Sequence, residues 1–167
     1  MFRIKAIRHT EISNKELDEI IKIKSFAWPY PYEKQLEWIN RNITNLDLHM
    51  LLLKNNEPVA YLDLIDIKLK VDTKIANAYG VGNVCAIEKG KGYGNELMEQ
   101  TNKYIAGKQR IGLLFCKKEL VSFYNKHGWI LMDKSHLALG FDNSNIETMV
   151  FFQNDEFKGI SYKGPPF

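Results

Sequence analysis

Between residues 81 and 107 the chain passes from an apolar run to a helical pattern across one glycine-rich hexapeptide, Lys89-Gly90-Lys91-Gly92-Tyr93-Gly94. Val81 to Ile87 is apolar enough for a strand, and Asn95-Glu96-Leu97-Met98 opens a helix that runs to about Gly107. Strand, tight turn and helix in that order constrain the fold more than any other stretch. Glycine permits φ > 0 in such a turn and lets a ligand approach the main chain without a Cβ in the way. The N–H groups of the turn converge with the positive end of the helix dipole, a geometry suited to a diphosphate.

Spacing separates the loops that could do this. A P-loop needs Lys then Ser or Thr after its last glycine, and Gly94 is followed by Asn95-Glu96. A dinucleotide fingerprint needs glycine where Asn95 or Leu97 stands. What remains is a basic residue, two spacers, Gly, one spacer and Gly. Set between a strand and a helix, this resembles the acetyl-CoA loop of the GNAT N-acetyltransferase superfamily, with Lys89 where Gln or Arg is usual. A second motif follows in the expected order. Arg110 to Cys116 is a short apolar strand, Lys118 to His127 reads as a helix, and Tyr124 precedes the pair Gly128-Trp129. This resembles the late signature of the superfamily, and Gly128 suits the position just past a helix end.

The resemblance implies an α/β (α+β) fold of the GNAT type. Its central mixed, mostly antiparallel sheet has about seven strands, is flanked by about four helices and is splayed at two parallel central strands. The residues support that order independently. Phe2 to Arg8 reads as a strand; Ser13-Asn14-Lys15-Glu16 is a capping box, followed by Leu17, Ile20, Ile21, Ile23 and Lys24 at helical spacing and a stop before Pro29. Tyr32 to Ile43 reads as a second helix. Leu48 to Lys54 and Pro58 to Leu69 form strands joined at Asn55-Asn56-Glu57, and Ile75 to Ile87 the next. Leu131 to Phe141 and Glu147 to Gln153 complete the pattern as strands. No linker or repeat interrupts it, so residues 1–167 are expected to be one acetyltransferase domain.

The resemblance also implies the chemistry: an acetyl-CoA-dependent N-acetyltransferase, in which a substrate amine attacks the thioester of the co-substrate directly. Carried over by position, main-chain N–H groups of Gly82, Asn83 and Val84 hold the pantetheine and polarise the carbonyl. Lys89, Gly90, Lys91, Gly92, Tyr93, Gly94 and Asn95 take the diphosphate, and Tyr124 is the acid that meets the departing thiolate. The base is not marked. Relatives carry a carboxylate in the strand before the loop, where this chain has Ala78, Tyr79, Gly80, Val81 and Gly82; Glu88, Asp63, Asp66, His127, His136 and a water chain stay open. A spacing of three puts Asp63 and Asp66 on opposite faces of a regular strand.

From Lys89 to Trp129 the chain is further similar to aminoglycoside 2′-N-acetyltransferases, through Gly90, Gly92, Gly107, Gly112, Tyr124 and Gly128-Trp129. Members of that branch end in an aromatic residue whose carboxylate helps hold the drug, and Phe167 ends this chain; Gly80 stands where they carry Glu. The implied acceptor is a small-molecule amine, an aminoglycoside-like polyamine included. Transfer to a protein or peptide amine, and a low-turnover sensor or assembly role, are the other readings. Asp133, Asp142, Glu147, Asp155 and Glu156 form a late acidic cluster that could face a cation or only solvent.

Composition bounds the partners. A net charge of +3 is far from that of a dedicated nucleic-acid binder, and local positive charge from Lys89, Lys91, Lys117 and Lys118 suffices for a polyanionic cofactor. No apolar run is long enough to span a membrane, and residues 1–5 lack a signal-peptide core, so a cytoplasmic location is expected. Cys85 and Cys116 read as buried hydrophobes, and no Cys/His spacing indicates a metal. Dimers are common in the superfamily, so a homodimer is among the expectations. In the aromatic loop Phe26 to Tyr32, Trp28 is expected to seal the two helices against the sheet, while the loop as a whole could shape the acceptor site.

Overall fold

A computed structural model describes residues 1–153 and 156–167, and the chain divides into two compact units, Met1–Ile65 with Gly82–Thr101, and Asp66–Val81 with Asn102–Phe167. Asp155 of the late acidic cluster lies outside the described residues.

In the first unit, β1 (Phe2–Arg8) leads to α1 (Asn14–Ala27), α2 (Tyr32–Asn42), β2 (Leu48–Lys54) and the first part of β3 (Glu57–Val71). The capping box forms as expected: Glu16 N donates to Ser13 Oγ at 3.2 Å and Ser13 N to Glu16 Oε2 at 2.9 Å. Lys5 pairs with the same carboxylate, and these contacts hold Glu16 down to about 2. β1 pairs antiparallel with β2 from Phe2↔Lys54 to Arg8↔Leu48, and β2 with β3 from Leu48↔Leu64 to Lys54↔Glu57. The two-residue turn between them has Asn55 and Asn56 at φ 50° and 69°, the positive values that a tight hairpin turn requires and Asn tolerates. Ile20, Ile21 and Ile23 of α1 and Ile39 of α2 bury against Leu51, Leu53, Tyr61 and Cys85. Trp28 departs from expectation: it is 36% exposed, and Gln35 instead ties the interhelical loop by donating Nε2 to Trp28 O at 2.6 Å.

Strands β3 and β4 (Lys74–Ala86) run through both units. In the second unit β4 pairs in parallel with β5 (Ile111–Cys116), from Ala78↔Ile111 to Val81↔Leu114. β5 pairs antiparallel with β8 (Glu147–Phe151), which also carries β6 (Ile130–Leu131). Among the described residues the fold is mixed α/β, with one open mixed sheet and four α-helices, the others being α3 (Tyr93–Gly107) and α4 (Val121–Asn125).

Three elements differ from the sequence reading. The helix expected over Lys118–His127 is a 3-10 turn, Lys118–Leu120, followed by the short α4. The strand expected over Leu131–Phe141 is broken by a 3-10 turn at Lys134–His136, because Asp133 caps that turn by accepting from Ser135 N at 2.8 Å. Its second part, β7 (Leu137–Leu139), pairs in parallel with β9 (Ile160–Tyr162), a strand not foreseen; the described sheet therefore has nine strands. Three residues give too short a period-two signal to read from sequence.

Candidate functional site

The glycine loop lies in the first unit and has the conformation its composition requires. Gly90 and Gly92 sit at φ +79° and +76°, and a Cβ built at either would meet nothing within 4 Å. Both therefore line open space, where a ligand can approach the main chain. Glu96 N donates to Gly92 O at 3.1 Å, which starts the helix two residues earlier than expected and puts Tyr93 and Gly94 in its first turn. First-turn N–H groups have no acceptor within their own helix and point outward along its axis. Lys89 and Lys91 are exposed, Lys91 lying 3.4 Å from Glu88, and Asn95 is exposed on the same turn. Tyr93 is only 8% exposed; its ring packs edge-on against Phe2, with Lys54 Nζ 5.4 Å from its centroid. Its side chain is thus structural, and only its main chain is available to a diphosphate.

Upstream of the loop, Gly82 is buried while Asn83 and Val84 are half-buried. Asn83 has φ +54° within β4. Its Nδ2 donates to Asp63 Oδ2 at 2.6 Å, and Asp63 is fully buried. Burial pushes the Asp63 carboxyl up to about 6, against the hydrogen bond from Asn83 and the charge of Lys24. Lys24 is itself 2% exposed on α1, its Nζ 4.1 Å from the Trp38 ring, and burial lowers its pKa. Opposite Asp63 across the sheet stands His49, fully buried. His49 Nδ1 shares a hydrogen bond with Tyr61 OH at 2.8 Å, and Nε2 shares one with His9 Nδ1 at 3.0 Å. Burial, with His9 and Lys24 close by, pulls His49 down to about 4, so it is neutral at neutral pH. Cys85 stays a thiol, raised to about 12 by burial.

This polar row under α1 was only partly visible in sequence. Asp63 was among the open candidates. His49 lies inside an apolar strand and Lys24 inside an apolar helix stripe, where an isolated polar residue is the only signal.

In the second unit Tyr124 is 6% exposed on α4, its ring 6.5 Å from Trp129 and 5.0 Å from Phe123. Burial raises its pKa, so the phenol stays protonated. Trp129 is fully buried over Gly112, and its Nε1 donates to Asn102 Oδ1 at 3.0 Å while Asn102 Nδ2 donates to His127 O at 2.8 Å. The Gly128-Trp129 pair thus anchors the end of α4. Gly80 has the Phe167 ring over it: an added Cβ would lie 2.7 Å from Cε2. Phe115 and Tyr162 hold that ring at centroid distances of 4.9 and 5.7 Å.

Asp66, His127 and His136, also candidates, lie in the second unit. Asp66 is half-buried and paired with Arg110 at 2.8 Å, whose guanidinium also covers the Tyr79 ring at 4.3 Å. The His127 ring packs on Phe123, and His136 is exposed. Asp133 and Asp142 spend oxygens on Ser135 and Ser144 within their own turns, so these two cap loops.

Residues 7–132 match the acetyltransferase (GNAT) domain family. The chain belongs to that family. As a GNAT enzyme it is an acetyl-CoA-dependent N-acetyltransferase. Solved structures share the fold at low identity. Escherichia coli ElaA superposes with a TM-score of 0.61 at 20% identity, over 90% of this chain and 99% of that one. An acyl-CoA N-acyltransferase from Pseudomonas aeruginosa gives 0.64 at 15%, over 90% and 99%. The N-acetyltransferase PseH of Campylobacter jejuni gives 0.59 at 18%, again over 90% and 99%. No curated protein matches the chain by sequence.

Proposed function

We propose that this GNAT enzyme, acting as one catalytic domain, transfers acetyl directly to an amine of a small molecule, with aminoglycoside-like polyamines the class to test first. The observation that carries the placement of the co-substrate is the loop: two glycines with positive φ facing open space at the start of α3. Lys89 to Asn95 hold the diphosphate, through main-chain N–H groups and the exposed Lys89 and Lys91. Gly82, Asn83 and Val84 hold the pantetheine by their main chain.

When bound, acetyl-CoA supplies an acetyl group activated as a thioester. The acceptor nitrogen forms its bond to the carbonyl carbon as the carbon–sulfur bond breaks. The ammonium loses its first proton before attack, the nitrogen loses a second as the amide forms, and the sulfur gains one. Tyr124 donates the proton to the sulfur, since burial keeps its phenol protonated through neutral pH, and the second proton from the nitrogen restores it. Gly80 offers no carboxylate and Asp66 is engaged by Arg110, which favours a water chain over Asp66 as the route for the first proton. The small-molecule class rests on the likeness from Lys89 to Trp129, and is favoured by the Phe167 ring seated on Gly80, which narrows that part of β4.

The test is thiol release from acetyl-CoA with aminoglycosides, other polyamines, amino acids and peptides as acceptors. Turnover with an aminoglycoside supports the reading; turnover with peptides alone refutes it. Tyr124→Phe is expected to lower kcat at least about 10-fold with acetyl-CoA affinity retained, in line with general-acid contributions. Unchanged kcat removes Tyr124 from the mechanism.

A further inference from the structure

Asn83 carries a positive φ inside an otherwise continuous strand. In β4 the burial alternation of a regular strand is lost from Ala78 to Gly82, and Asn83 follows at φ +54°. A residue of that conformation redirects the main-chain N–H and C=O groups around it and kinks the strand. Asn tolerates positive φ better than most residues, but the conformation is still strained and persists only where its surroundings enforce it. Asp63 is the enforcing contact. Its carboxylate is fully buried, one oxygen accepts from Asn83 Nδ2 at 2.6 Å, and the other has no hydrogen-bond partner among the described residues. A buried, half-satisfied carboxylate is unfavourable for folding and calls for a role.

We propose that Asp63 is a positioning residue: through Asn83 it holds the Gly82–Val84 main chain in the kinked form that receives the acyl-pantetheine end of acetyl-CoA. The inference rests on the role proposed above for those three residues. Asp63 reaches no substrate in this scheme; it acts through Asn83. The hydrogen bond is charge-assisted while Asp63 is ionised and weakens when the carboxyl takes a proton. Lys24 on α1 and the main-chain N–H of Gly82 also favour the ionised form, and Asp47 opposes it. His49 on β2, Tyr61 on β3 and Cys85 on β4 are neutral there at neutral pH. The latch is therefore closed near neutrality and opens in mild acid, with a midpoint near the value of about 6 that burial gives Asp63.

The test compares the affinity for acetyl-CoA with that for 3′-phosphoadenosine 5′-diphosphate, the same molecule without its pantetheine arm. The wild-type ratio measures what the strand contributes, and the fragment alone reports on the loop and on folding. Asp63→Ala is expected to shrink the ratio about 10-fold, the scale of a lost charge-assisted hydrogen bond, with fragment affinity unchanged. Asp63→Asn keeps a neutral acceptor and falls between. In wild type the ratio drops from about pH 7.5 to about pH 5, and in Asp63→Asn it is flat. Asn83→Gly adopts positive φ without the latch, so adding Asp63→Asn to it changes nothing further. Should Asp63→Ala fail to fold, Asp63→Asn and Asn83→Gly carry the test. A ratio that stays at its wild-type value and pH dependence in Asp63→Asn, with only the melting temperature moved, overturns the positioning role and leaves the strand reading standing. A wild-type ratio near one overturns the strand reading and the positioning role with it.

Discussion

Two buried groups that face each other across β2 and β3 give the folded protein opposite responses to pH. His49 is held down to about 4 from an ordinary 6.5, and Asp63 is held up to about 6 from an ordinary 3.8. Between pH 6.5 and 4 the unfolded chain protonates His49 and the folded chain does not. The stability His49 contributes is therefore present above 6.5 and lost as pH falls towards 4, by about 3 kcal/mol. Asp63 runs the other way. The folded chain keeps a proton that the unfolded chain releases between 3.8 and 6, so its contribution is present below 3.8 and lost as pH rises through 6, again by about 3 kcal/mol.

In the shared window from 4 to 6 the two slopes cancel to within about 1 kcal/mol, and the wild type should show no strong pH dependence from this pair. Asp63→Asn removes one slope, so its stability should rise with pH by about 3 kcal/mol relative to wild type across that window. His49→Gln should show the mirror image, falling as pH rises. Each variant also shifts stability by a constant, since His49→Gln breaks contacts to His9 and Tyr61, but the constant does not alter the slope. Urea denaturation followed by circular dichroism at half-unit steps of pH gives the curves. Parallel curves for Asp63→Asn and wild type would refute the reasoning, because they would mean that Asp63 binds protons equally in both states.

Three further outcomes are expected. Gly80→Ala places a methyl group where the Phe167 ring lies and should cost about 1–3 kcal/mol by overpacking; in a Phe167→Gly background the same change should cost much less, and additive losses would contradict the contact. Asn102→Ala leaves the buried Trp129 Nε1 without its acceptor and should cost about 1–3 kcal/mol in a urea titration, a loss under about 0.5 kcal/mol refuting the bridge. Gly92→Ala meets no atom but forces a side chain to positive φ, so it should cost about 1 kcal/mol of stability and weaken acetyl-CoA binding, read by calorimetry.

What could be read from the sequence is what short-range chemistry decides. The capping box at Ser13, the hairpin at Asn55-Asn56 and the glycine loop after Lys89 each depend on neighbours within a few residues; the first two appear where expected, and the loop gives way to α3 two residues early. The failures share a different cause. The long strand expected over Leu131–Phe141 ends where Asp133 turns back on Ser135, a local competition that its apolar periodicity conceals. β9 depends on partners at Leu137 and Lys70, too distant in sequence to leave a pattern in three residues. The spacing of Asp63 and Asp66 did separate their surroundings, a buried Asn83 partner for one and Arg110 for the other. Spacing could not tell which would be fully buried, because that depends on α1 covering the face shared by His49, Tyr61 and Asp63.

That covered face links stability to function in one unit. At neutral pH the raised pKa of Asp63 costs the fold about 3 kcal/mol relative to a carboxyl that kept its ordinary value, and the burial of Lys24 adds a second unfavourable charge. A chain selected for stability alone would carry Asn or an apolar residue at position 63, since a neutral group avoids the desolvation. The charged form is also the one that grips Asn83 most strongly. Lys24 reconciles the two demands in part: its charge lowers the pKa of Asp63 and so keeps the latch closed at neutral pH. Lys24→Met should therefore move the midpoint of latch opening upward in pH and, by leaving the buried Asp63 carboxylate without its compensating charge, lower stability at pH 7; an unmoved midpoint would refute the role given to Lys24.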